Sequence, residues 1–191
     1  MSAWKRGTVM LLAIVLVACN SDAAGPDSVP LELPAHWSFD GGNLDGWTLG
    51  SRSTGTGGGS AARNNAGGYV EMTAWGQVGV PDAWMSLQVT LPDVVGLWID
   101  ARSIGGCVEG EDRDSEMRIR VTRANGTSSL VHDWRQVDDF EWPGMLLGGS
   151  LEQFAGETVT ITIEQDDEGE QEESASDAES VCVDNVDIFI D

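Results

Sequence analysis

The chain has 191 residues, with 32 acidic side chains against 10 basic ones, a formal net charge of −22 and a sequence pI near 4.1. A field of that sign repels nucleic acid and anionic lipid and attracts cations, so phosphate-backbone recognition is not expected. The length suits one folded domain, and 24 glycines against 7% aromatic residues favour short elements joined by turns.

The first 22 residues, MSAWKRGTVMLLAIVLVACNSD, place Lys5 and Arg6 before an apolar run from Val9 to Ala18 that is too short to span a bilayer. Leu16-Val17-Ala18-Cys19 resembles the lipobox of bacterial lipoproteins. That resemblance implies a signal peptide over residues 1–18, cleavage before Cys19 and lipidation of Cys19. The chain is then anchored by acyl groups in the bacterial cell envelope. Asn20, where an inner-membrane retention signal prefers aspartate, implies the outer membrane or cell surface. Residues 19–34 are small, polar and proline-bearing and read as the lipidated cysteine and its tether. Removal of Lys5 and Arg6 leaves no lysine, eight arginines and a net charge of −24.

Residues 35–191 show period-two runs separated by Gly, Pro, Asn and Asp and almost no helical period, which predicts an all-β sandwich of about eight strands. A first strand is predicted over 36–39, and 51–68 reads as a long glycine-rich loop. The stretch 69–75 turns Val70, Met72 and Ala74 inward, with Tyr69, Glu71, Thr73 and Trp75 outward. The next, 84–91, buries Met85, Leu87, Val89 and Leu91. In 95–103 the inward set is Val95, Leu97, Ile99 and Ala101, with Trp98, Asp100 and Arg102 outward. In 116–123 it is Met117, Ile119 and Val121, with Arg118 and Arg120 outward. Asn125-Gly126 predicts a hairpin into 128–135. The strand 158–164 faces Val159, Ile161 and Ile163 inward. Nine carboxylates without a basic residue make 164–180 a solvated loop. In the closing run, VCVDNVDIFID, alternation puts Cys182, Asp184, Val186, Ile188 and Ile190 on the core face, so Asp184 needs a partner.

With Cys19 lipidated, Cys107 and Cys182 remain. Beyond the cytoplasmic membrane such a pair is expected to bridge, with two free buried thiols as the alternative.

Three phrases carry a family resemblance: WSFDGGNLDGW (37–47), WPGMLLGGSLEQFAGETVTITIE (142–164) and CVDNVDIFI (182–190). Together they resemble the jelly-roll carbohydrate-binding modules and their galactose-binding-like relatives. The departures are Asp40 for the usual glutamate, Val183 for isoleucine, Asn185 for the second aspartate, and the acidic loop. The resemblance implies a two-sheet jelly-roll sandwich over 35–191 and a structural calcium held by Asp40 and Asp184. The bland alternative is that Asp184 caps an amide or pairs with an arginine.

The strand order of such relatives would set 69–75, 158–164, 95–103, 116–123 and 128–135 side by side. Their outward side chains would then form one glycan-binding face of Tyr69, Glu71, Trp75, Thr160, Thr162, Trp98, Asp100, Arg118 and Arg120, with His132 or Trp134 beside them. Each aromatic could equally be ordinary sheet cover. No nucleophile elbow, phosphate loop or metal-ligand spacing is present, so the expectation is a non-catalytic module, with a glycoside-acting enzyme as the minor alternative. The other alternative is a surface structural or adhesion domain with a protein partner or no ligand.

Overall fold

A computed structural model describes residues 29–54, 57–64, 66–75, 81–104, 115–135, 146–167 and 179–191. The expectations for Cys19, Cys107, the signal peptide and most of the acidic loop fall outside those residues. The described residues are all β, as expected: two antiparallel sheets packed face to face, without an α-helix.

The strands are β1 (Ala35–Ser38), β2 (Thr48–Ser51), β3 (Ser53–Thr54), β4 (Gly57–Asn64), β5 (Tyr69–Trp75) and β6 (Ala83–Thr90). They continue with β7 (Leu97–Ile104), β8 (Ser115–Arg123), β9 (Ser128–Arg135), β10 (Leu146–Ser150), β11 (Thr158–Asp167) and β12 (Glu179–Ile190). The seven-stranded sheet runs β10-β7-β12-β5-β4-β3, with β1 paired to the second half of β12. The five-stranded sheet runs β2-β6-β11-β8-β9.

The core between them is largely the predicted one, although Ile190, placed on the core face by alternation, ends its strand 55% exposed. Val70, Met72, Met85, Ile99, Ile119, Ile161 and Ile163 have no or almost no exposure, and Trp37 meets Trp47 edge to face with ring centroids 6.0 Å apart. The Asn125-Gly126 hairpin forms as expected, with Gly126 at φ 84° and Asn125 Oδ1 accepting from the Thr127 amide at 2.9 Å.

Four expectations are corrected. First, 51–68 holds strands as well as loop. Gly57, Gly58 and Gly59 are buried in β4, and a Cβ on Gly59 would lie 2.5 Å from the Asp82 carbonyl oxygen. Those glycines permit close backbone approach at a point that local composition reads as a loop. Second, β11 runs on to Asp167, and Glu164, Gln165 and Asp166 are buried, so the acidic segment begins inside the sheet. Third, Val95 is 85% exposed and precedes its strand, which starts at Leu97. Fourth, β12 is bulged between Val183 and Asn185. Val181 and Val183 face the core before the bulge and Val186 and Ile188 after it, so Cys182 lies on the outer face. Asp184 is the inserted residue, which removes the core-facing carboxylate that strict alternation demanded.

Candidate functional site

The predicted single face does not form. β5 and β7 belong to the seven-stranded sheet, whereas β8, β9 and β11 belong to the five-stranded one. Tyr69, Glu71, Trp75, Trp98 and Asp100 therefore sit on one outer face, and Arg118, Arg120, Thr160 and Thr162 on the opposite one. Period two assigns a side chain to the inside or outside of its own sheet and says nothing about which sheet the strand joins. His132 is off both faces: its Nδ1 lies 2.8 Å from the Gly148 carbonyl oxygen, tying β9 to the edge of the other sheet. The Trp134 side chain lies outside the described residues.

Register builds a row across the five-stranded sheet from Gly50 through Trp84, Glu164 and Arg118 to Asp133. The next row runs Thr48, Ser86, Thr162, Arg120, Leu130. Trp84 is half-buried, with its indole packed against Gly50, where a Cβ would be 2.6 Å from ring atom Cζ2.

Beside it the charges are fixed in pairs. Arg120 Nε donates to both Glu164 oxygens at 2.9 and 3.1 Å, and Arg118 Nη2 donates to Asp166 Oδ2 at 3.1 Å. Arg118 also lies 3.7 Å from Asp133. Glu164, Asp166 and Arg118 expose only 7%, 1% and 9% of their surface although they point away from the core. On an open sheet such side chains extend into water, whereas here they are packed against one another and their neighbours. A half-buried aromatic beside buried, mutually oriented donors and acceptors can stack on the C–H face of a sugar and answer its hydroxyls. Trp84, Glu164, Asp133 and Asp166 were absent from the sequence-level site. The outward parity of Trp84 and Glu164 was the available signal.

The opposite outer face holds the rest. The Tyr69 ring covers Gly67 and its hydroxyl accepts from Asn64 Nδ2 at 2.9 Å, while Trp75 covers Gly58, where a Cβ would be 3.1 Å from Cζ2. Glu71 is half-buried opposite Cys182. Trp98 Nε1 donates to Asp100 Oδ1 at 2.8 Å.

Asp40 and Asp184 do come together. Burial, and then the charge of Asp40, raise the Asp184 carboxyl above its usual value, against the lowering effects of Asn185, Arg102 and His36. Asn185 Nδ2 donates to Asp184 Oδ2 at 2.5 Å, and Ser38 Oγ donates to Asp40 Oδ2 at 3.0 Å. Gly68, at φ 70°, packs against Asp40. Two neighbouring carboxylates are a donor set of the kind calcium takes, and they suit no soft metal. Among the described residues no three His, Cys, Asp or Glu side chains gather, so backbone or water oxygens would have to complete a shell. Cys182 is wholly buried and disulfide-bonded, and its partner lies outside the described residues.

No protein-family model matches the chain, and no curated protein matches it. Solved structures do match. The CBM22-2 xylan-binding domain from Paenibacillus barcinonensis is 12% identical with a TM-score of 0.52, the match covering 82% of this chain and 99% of that one. A xylan-binding module, CBM15, is 12% identical with a TM-score of 0.53, covering 82% and 97%. At such identity the likeness is one of fold, and it agrees with the two-sheet jelly-roll architecture.

Proposed function

We propose that this chain is a non-catalytic glycan-binding module, carried at the bacterial cell surface by a lipid on Cys19. The observation that carries the reading is the row of Trp84, Glu164 and Arg118 on the five-stranded sheet, an aromatic beside buried, paired charges. Its fold likeness to two xylan-binding modules supports the same class of ligand. Each carboxylate described in that row is engaged by an arginine. A glycosidase pair instead needs two carboxyls free to reach one bond, so binding without cleavage is the better-supported activity.

The anchored orientation is consistent with this reading. The segment leading from the tether joins the domain at Thr90, whose carbonyl oxygen accepts from the Leu31 amide at 2.8 Å. Trp84 stands at the other end of β6, about 20 Å away at the usual rise per residue, so the site points away from the anchor. No described helix is long and apolar enough to cross a membrane, so attachment in this proposal rests on the acyl chains. The bridge to Cys182 is assigned to Cys107, which follows by three residues the strand end, Ile104, that pairs with Cys182. A screen of the protein against immobilised neutral and acidic polysaccharides tests the function. Retention by at least one is expected, and retention by none would leave a structural or adhesion domain as the better account.

Calcium is proposed between Asp40 and Asp184. An ion that binds only the folded state raises the unfolding midpoint, so millimolar calcium should raise it by several degrees over chelator. Asp184→Asn should remove that difference. In chelator the sign reverses. A carboxyl whose pKa is raised by folding favours the fold below that pKa and opposes it above, so Asp184→Asn should melt slightly higher than wild type near neutral pH. That advantage should fade as pH falls towards the ordinary carboxylate range, near 3.8. Identical melts in calcium and chelator would mean that Asp184 is satisfied within the protein.

A further inference from the structure

We propose a second glycan platform on the outer face of the seven-stranded sheet, built on Trp98 and Phe189 and selective for neutral pyranose chains. It extends the glycan-binding reading to a site that shares no residue with the Trp84 row.

Trp98 and Phe189 are register partners on β7 and β12, and both are half-buried on the outer face. The bond from Trp98 Nε1 to Asp100 Oδ1 lays the indole along its strand. The ring edge then rests on Gly148 of β10, where a Cβ would be 3.0 Å from Nε1. The ring is therefore held in place before any ligand arrives, which lowers the ordering cost of stacking.

One row away, register aligns His36, Asp187, Asp100 and Gly148. His36 Nδ1 lies 2.6 Å from Asp187 Oδ1, with the two side chains 55% and 45% exposed. An apolar row beside a polar row matches a pyranose chain, which presents C–H faces to the rings and hydroxyls at its rim. Among the described residues, whose only elements are the two sheets and two short 3-10 turns, no third layer covers this face. The charge of the face sets the ligand class. Asp100 and Asp187 are register partners here, and together with Asp184 they outnumber Arg102, so a uronate would meet a net like charge.

The test follows the indole Nε1–H resonances of the full-length protein during titration with xylohexaose, a neutral glucan oligosaccharide and a polygalacturonate fragment. Trp84→Phe and Trp98→Phe assign the two signals. The expected result is that the Trp98 signal moves with a neutral oligosaccharide, still moves in Trp84→Ala, and stays put with the uronate. Phe189→Leu should weaken that response about tenfold. A fixed Trp98 signal while Trp84 responds would overturn the second platform and leave the proposed function standing. A moving Trp98 with a fixed Trp84 would do the reverse. Movement of neither would overturn both, and an equal response of Trp98 to the uronate would overturn the neutral selectivity.

Discussion

Replacing Trp84 with alanine is expected to weaken binding of the preferred polysaccharide about thirtyfold or more, the effect of losing a central aromatic contact worth about 2 kcal/mol. The indole is the one large apolar surface in the Gly50–Asp133 row, and Ser86 and Thr162 in the next row are polar. Truncation should leave the fold intact, because Trp84 lies on the outer surface of β6 while Ala83, Met85 and Leu87 supply that strand's core contacts. Calorimetric titration reads the affinity, and circular dichroism confirms that the variant is folded. The change should fall on affinity with little change in melting midpoint. A ring that merely shielded Gly50 would give the opposite pattern, with lower stability and unchanged affinity.

Arg118→Leu is expected to cost about 3–5 kcal/mol of stability, far more than a surface arginine. Arg118 is 9% exposed, and its guanidinium answers Asp166, which is 1% exposed, at 3.1 Å. Removing one member of a buried pair leaves the other charge in a poorly solvated place, and that penalty exceeds what the pair itself contributes. Two further results separate this cause from lost packing. The double variant Arg118→Leu/Asp166→Leu should recover most of the loss, because neither charge then remains. The single variant's deficit should also shrink as pH falls. Its uncompensated carboxyl takes up a proton more readily when folded than when unfolded, and that proton favours the fold below the raised pKa. Urea titrations at neutral and acidic pH measure both.

The local half of this structure was legible in the sequence and the long-range half was not. Every inward residue predicted for 116–123 and for 158–164 is buried, because a strand with one face on the core imposes its period wherever it pairs. The Trp37–Phe39 opening and the Asn125-Gly126 turn were equally readable. Strand order was not, since it depends on partners tens of residues away. The candidate face was therefore drawn with Trp98 beside Arg118 when the two lie on opposite sides of the molecule. The bulge at Asp184 was hidden for a related reason: one inserted residue flips the parity of Cys182 without altering the composition of the run. The first part of the acidic segment read as solvated loop because its countercharges, Arg118 and Arg120, come from another strand. The neighbourhood of Asp40 and Asp184 was foreseen, by way of the family resemblance rather than by periodicity.

The most direct test of the central claim is affinity electrophoresis of the wild-type protein and Trp84→Ala through gels containing neutral polysaccharides, with xylan first. The account predicts that at least one polysaccharide retards the wild type and that Trp84→Ala runs in that gel nearly as it does in a plain one. Equal retardation of the two proteins, or no retardation of the wild type in any gel, would contradict a glycan site on the five-stranded sheet.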